Sequence, residues 1–311
     1  MKFRYLACII FLFASAIVNA QVINSINDHN MRIPKGERPV KKATTSSTTD
    51  SSIDTTSLYY AFIDSAQIYI KAHDWSKAEH NLREAIKSDP TNHSNSLLLS
   101  NIGTLQRYQG KTDQAIKNYS LALDMTPNAV TILLNRAAAY MAVDSIELSM
   151  MDYTKVANLD PSNIESRYNL GIIAIHQNDY KKAEDLFMEI TKISPNSALA
   201  QEGLGKLNEV NGNYTKAIDN YSKIIKVRPS TAILANRAHC YLMIKRLNDA
   251  EEDIRSGLQI DDNDGYLYLL RAMLNKLRFN TDDMNRDIKL AQEHGISATE
   301  VNDLLKIVPK N

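Results

Sequence analysis

The sequence predicts an all-α fold: an array of about seven helical hairpins stacked side by side. Three observations carry that reading. Pro127, Pro161, Pro195 and Pro229 recur 34 residues apart, the mark of one structural unit repeated along the chain. A small residue returns at one place in every unit, reading Ala66, Gly103, Ala137, Gly171, Gly205, Ala238 and Ala272. A second small residue and a bulky one a turn later accompany it: Ala78 with Leu82, Ala115 with Tyr119, Ser149 with Tyr153, Ala183 with Phe187, Ala217 with Tyr221, Ala250 with Ile254, and Met284 with Ile288. Residues one helical turn apart share a face, so each unit offers a gap and a side chain to fill it. Only Met284 breaks the small series.

In chain order, Met1 to Ala20 reads as a secretory leader: Lys2 and Arg4 come first, Tyr5 to Val18 is almost wholly apolar, and Ala20 offers a cleavage site before Gln21. Acylation at Cys8 is the weaker reading, because only Tyr5-Leu6-Ala7 precedes it as apolar core; retention of the leader as an anchor is the other. The whole chain carries 36 basic and 36 acidic residues; without Lys2 and Arg4 the balance is 34 − 36 = −2. That charge makes no case for nucleic acid or an anionic membrane. Past the leader Cys240 is the one remaining cysteine, so no intramolecular disulfide forms and the fold must stand on packing. Cys240 falls inside a first helix and is expected to be an inert packed thiol.

Residues 21–57 have no helical period and become rich in Ser, Thr and Asp, which predicts a disordered linker. Asp54-Thr55-Thr56 within it resembles a short acidic-Thr glycosylation site, a weak match. The repeats are expected to run over residues 58–296. Trp75 is expected at the turn of the first unit, after which come 96–129, 130–163, 164–197 and 198–231, with shorter units opening at Ala232 and Gly265. The clearest is Tyr168 to Pro195: Gly171 leaves a gap, Asn178-Asp179 breaks the helix, Ala183 and Phe187 line the second helix, and Pro195 stops it. The third unit, with Val143-Asp144-Ser145-Ile146 at its turn and Ser149 for alanine, is expected to be looser. Residues 297–311 follow as a capping helix: Ser297-Ala298-Thr299-Glu300 matches a capping box, and Val301, Leu304, Leu305 and Val308 share one face.

No residues assemble into an enzyme's machinery. Gly203-Leu204-Gly205-Lys206 looks like part of a nucleotide loop, but no strand precedes it and both glycines fall within a helix of the array. His80 and Glu84 lie one turn apart with His73 seven residues earlier, without metal-site spacing, and neither a nucleophile elbow nor a phosphate cradle is present. The chain is expected to be non-catalytic, with no cofactor and no metal.

With seven units in register, the chain resembles the tetratricopeptide-repeat family over most of its length. The resemblance implies a right-handed superhelical solenoid whose first helices line a concave groove that holds a peptide or protein partner. One position in that groove reads Asp64, Asn101, Asn135, Asn169, Gly203, Asn236 and Leu270 along the seven units. Asn101, Asn135 and Asn169 are expected to form a line facing an open groove, each amide able to donate to one peptide carbonyl and accept from one peptide N–H. The carboxylate clamp of co-chaperone relatives is missing, because its basic positions read Leu97, Thr131, Glu165 and Asn169. Around the amides the groove is expected to show Arg107, Tyr108, Met141, Tyr168, His176, Glu202, Lys206, Glu209, His239, Met243 and Lys276. With the leader, this describes an exported scaffold or adaptor of a bacterial envelope, periplasmic, envelope-associated or secreted. A rigid spacer in an envelope assembly and an accessory domain serving a separate enzyme are the alternatives.

Overall fold

The computed structural model describes residues 55–307, and every regular element among them is an α-helix. The leader expected over 1–20, Cys8, the linker as far as Asp54, and Val308 lie outside the described residues. The chain falls into two compact units, divided between Pro161 and Ser162. The N-terminal unit holds three hairpins, formed by α1 (Thr55–Lys71) with α2 (Trp75–Ser88), α3 (Asn95–Tyr108) with α4 (Thr112–Met125), and α5 (Val130–Ala142) with α6 (Ile146–Leu159). The C-terminal unit holds four: α7 (Ile164–His176) with α8 (Tyr180–Ile193), α9 (Ala198–Val210) with α10 (Tyr214–Ile225), α11 (Thr231–Met243) with α12 (Leu247–Ile260), and α13 (Gly265–Leu277) with α14 (Thr281–Glu293). A short α15 (Ala298–Leu305) follows. The first helix therefore opens at Thr55, three residues ahead of the expected Leu58.

All seven hairpins turn in the same way. The residue two before each second helix has positive φ: His73, Gly110, Asp144, Asn178, Gly212, Lys245 and Phe279, all between 57° and 73°. Only two are glycine, so five turns accept a conformation that costs an L-residue roughly 1–2 kcal/mol. Backbone bonds across the turn compensate: Asp179 N–H donates to the Ala174 carbonyl at 2.8 Å, and Ser145 N–H to the Tyr140 carbonyl at 2.9 Å. The third hairpin is thus as tight as the fourth, contrary to the looser turn expected there. Its Ser149 is fully buried, and the hydroxyl donates to the Ala137 carbonyl at 2.9 Å, so the extra polar atom is satisfied on the facing helix.

The small and large series meet inside the stack. Ala78, Ala115, Ser149, Ala183, Ala217 and Ala250 are all completely buried, as are Tyr119, Phe187 and Tyr221. Phe187 is the clearest case. A Cβ on Gly171, in its own hairpin, would lie 2.4 Å from the Phe187 ring, and a Cβ on Gly203, in the next hairpin, would also lie 2.4 Å from it. One ring therefore fills the space vacated by two glycines on two successive first helices, and adjacent hairpins share a core. The series fades at the end: Met284 and Ile288 are only half buried. There α15 takes over, closing its own N-terminus with a capping box between Ser297 and Glu300 and burying Val301 and Leu304 in the apolar cluster that also holds Leu267, Leu270 and Leu274.

Three hairpins add an arginine–aspartate pair between their helices at one shared repeat position, and the fourth joins its helices elsewhere, through Arg167 and Glu189 at 3.0 Å. Arg136 grips Asp152, Arg237 grips Asp253 and Arg271 grips Asp287, each pair 16 residues apart, at 2.7, 2.7 and 2.6 Å. Arg136 and Arg237 also reach back to the preceding second helix, donating to Ser120 at 3.1 Å and Ser222 at 2.8 Å. Each of these two guanidiniums ties three helices. Arginine occurs at this position only where aspartate stands opposite; elsewhere the pairs read Ser65 with Asn81, Ile102 with Asn118, Leu170 with Leu186 and Leu204 with Asn220. Asp253 is buried, and burial pushes its carboxyl above the ordinary range despite the opposing pull of Arg237.

An orphaned buried carboxylate is costly, whereas an apolar pair can replace a buried ion pair with little loss. Arg237→Leu alone is expected to destabilise the C-terminal unit by about 3–5 kcal/mol. Arg237→Leu with Asp253→Leu, which copies the Leu170 and Leu186 pair of the fourth hairpin, should recover most of that loss in urea unfolding.

Candidate functional site

The sequence placed the candidate site on the first helices, and their side chains separate into two sets. The position that reads Asn101, Asn135, Asn169, Gly203, Asn236 and Leu270 does not open freely to solvent. Asn101 is 1% exposed, Asn135 5%, Asn236 8% and Leu270 0%. Gly203 shows why: the space its side chain would occupy holds Phe187 from the second helix of the preceding hairpin. The position faces the joint between hairpins. Asp64 in the first described hairpin, by contrast, is exposed. The expectation that these amides face an open groove is therefore corrected at Asn101, Asn135 and Asn236, and the expected line divides, with Asn101 and Asn135 in the N-terminal unit and Asn169 and Asn236 in the C-terminal one. Asn169 stays half exposed and donates to the Glu165 carbonyl of its own helix at 2.9 Å.

The other expected groove residues are redistributed too. Tyr108 stacks on Trp75 with ring centroids 4.8 Å apart, so Trp75 packs on the second hairpin as well as on its own turn, where it meets His73 edge-on. Lys276 donates to the Leu305 carbonyl and so helps hold α15. Met243 is buried, and His176 lies half buried at the end of α7.

What remains are two polar groups, one on α7 and α9 and the other on α9, α10 and α11. The Tyr168 hydroxyl donates to Glu202 Oε1 at 2.9 Å, while Lys206 Nζ donates to the Tyr168 hydroxyl at 3.1 Å and pairs with Glu202 at 2.8 Å. The ammonium also sits 5.8 Å from the centre of the Tyr168 ring. Tyr168 and Glu202 occupy the same place in successive repeats, 34 residues apart, and Lys206 follows Glu202 by one turn. Burial pushes the Tyr168 hydroxyl well above its ordinary range, and the Glu202 charge adds to the effect. Burial would lower Lys206, but Glu202 and Tyr168 outweigh it and hold the ammonium charged.

A second carboxylate organises the next step. Glu209 accepts from the Tyr221 hydroxyl at 3.0 Å and meets His239 Nδ1 at 2.6 Å. Contact with a carboxylate assigns the proton to Nδ1. On α11, His239 Nε2 and Asn236 Nδ2, one turn apart, are buried with no hydrogen-bond partner among the described residues, as is Asn135 Nδ2 in the other unit. Cys240 lies beside this group fully buried, and burial together with the Glu209 charge pushes its thiol well up, which makes it a poor nucleophile. The glycines of Gly203-Leu204-Gly205-Lys206 sit within α9 and its lysine is committed to Glu202, so that stretch cradles no phosphate. Among the described residues no cluster of His, Cys, Asp and Glu could hold a metal ion, and no helix is long and apolar enough to cross a membrane.

Comparison with known proteins agrees with this architecture. A TPR-repeat family model matches residues 103–144, and a tetratricopeptide-repeat model matches residues 164–197. A tetratricopeptide-repeat protein of known structure from Parabacteroides merdae is 28% identical, with a TM-score of 0.70 over 80% of this chain and 98% of that one. The Pseudomonas aeruginosa protein pilF shares the fold at 14% identity, with a TM-score of 0.55 over 70% of this chain and 98% of that one. Hsp70-Hsp90 organizing protein 3 of Arabidopsis thaliana is 33% identical over 79 residues, a stretch that makes up 25% of this chain and 14% of that protein. Proteins of this kind are generally non-catalytic and mediate contacts between proteins. The repeat period, the hairpin geometry and these likenesses agree that the chain is a tetratricopeptide-repeat protein.

Proposed function

We propose that the protein is a non-catalytic scaffold of the bacterial envelope that holds a peptide or protein segment against the first-helix face of its C-terminal unit. One observation carries the reading: the bonded group of Tyr168, Glu202 and Lys206 on α7 and α9. A largely buried ion pair is a weak stabiliser, since desolvation offsets most of its attraction, and an apolar pair would serve packing as well. Such a group is useful where it presents fixed donors and acceptors to a partner. Asn169 and Glu165 flank it on α7, both partly exposed, and Glu209 continues it along α9. The mixture of aromatic, amide and both signs of charge suits a polypeptide better than a polyanion. The envelope placement rests on the leader-like residues Met1 to Ala20.

A photoreactive residue in place of Asn169 should crosslink the partner in cells. Glu202→Leu combined with Lys206→Met should abolish that crosslink while the chain stays folded, its thermal melt lowered only modestly because the buried Tyr168 hydroxyl loses both partners. An undiminished crosslink in the double variant would show that the network belongs to the fold and not to recognition. The envelope placement has its own check, the intact mass of the native protein. It is expected to correspond to a chain beginning at Gln21; a cytoplasmic chain retaining Met1 would refute export.

A further inference from the structure

The three arginine and aspartate ties are not equivalent. In the third and sixth hairpins all three guanidinium nitrogens are engaged: Nε and Nη2 donate to the two carboxylate oxygens, and Nη1 donates to Ser120 or Ser222. Their side chains are 21% and 18% exposed. In the seventh hairpin Arg271 gives both Nε and Nη2 to a single oxygen, Asp287 Oδ1, while Asn275 takes the other. Its side chain is 37% exposed and lies over Tyr268, a turn earlier, where Arg136 and Arg237 lie over Tyr140 and Tyr241, a turn later. Ser256 stands 15 residues before Arg271, as Ser222 stands before Arg237, yet the bonds of Arg271 run to Asp287.

Where this tie is turned, a cleft of about 540 Å³ opens between α12 and the last hairpin. Ligand pockets commonly measure ~300–1,000 Å³. Arg255, Arg271, Arg278 and Arg286 line it together with Glu251, Asp283 and Asp287. Each carboxylate already has an arginine, since Glu251 pairs with Arg278, Asp283 with Arg286 and Asp287 with Arg271, at 2.7, 2.7 and 2.6 Å. Four cations against three anions leave one positive charge, and Arg255 is the exposed cleft arginine that makes no ion pair among the described residues. Leu258 supplies partly exposed apolar lining, backed by the buried Ile254 and Leu274.

We propose that this cleft is a second binding site, separate from the first-helix face, which takes a monocarboxylate bearing a short apolar tail. A guanidinium fork matches a carboxylate, and the apolar residues accept the tail. A single negative charge neutralises the one surplus cation, whereas a phosphate dianion would leave the cleft with a net negative charge. The carboxylate has two natural sources, a free acid and the terminus of a peptide.

The test is an NMR titration of the full chain with hexanoate and with acetyl-Gly-Gly-Leu, beside hexanol and hexyl phosphate. Amide shifts over residues 254–259 and 271–275 should move with hexanoate, the peptide or both, whichever responds naming the source, and not with hexanol. Arg255→Gln, at an exposed side chain without an ion pair, should weaken that response about ten-fold or more while the remaining spectrum stays in place. Silence toward both carboxylates, equal affinity in the variant, or tighter binding of hexyl phosphate would overturn the assignment.

Discussion

In the fourth hairpin the Phe187 ring lies between two backbones, that of its own first helix at Gly171 and that of the next hairpin's first helix at Gly203. The rest of the packing follows from that contact. A single hairpin of about thirty residues cannot bury both its faces, so its second helix must lend a side chain to its neighbour. Lending a whole ring requires the neighbour's backbone to come close, which only a very small residue permits. The small and large series along the chain are the record of that exchange, and a stack built this way gains stability from interfaces as much as from the hairpins themselves.

The same constraint decides which polar residues are left to face a partner. A position on a first helix that looks toward the preceding hairpin is largely consumed by the stack; this is why Asn101, Asn135 and Asn236 are buried and why Gly203 and Leu270 share their place, with Asn169 the half-exposed member of the series. Side chains one position or one turn away are held in networks, as Tyr168, Glu202 and Lys206 are. Burying charge there costs solvation that packing alone would not require.

Much of the fold was legible because its signals are periodic. A 34-residue proline spacing and six fully buried small residues on the second helices need no knowledge of distance. Hairpin turns were legible only in part. Gly212 and Asn178 announce a left-handed residue, whereas Lys245, Phe279 and His73 adopt it because the helices on either side demand it. The ties at Arg136, Arg237 and Arg271 escaped notice although their signal is present, since arginine and aspartate appear together at a 16-residue spacing or not at all. For the candidate site, residue type pointed to the first helices but not to which side of them is open, as the burial of Asn101, Asn135 and Asn236 shows. Tyr168, Glu202, Lys206, Glu209 and His239 could be named one at a time, but their connection depends on which repeat position faces which, and that is a property of the packed helices.

Hydrogen exchange of Phe187→Ala tests most directly the claim that one ring serves two hairpins. Amide protection should fall in α7 and α8 and to a comparable degree in α9 and α10, while α13 and α14 keep theirs. Loss confined to α7 and α8 would contradict a shared core, and the hairpins would then have to be regarded as independently stable.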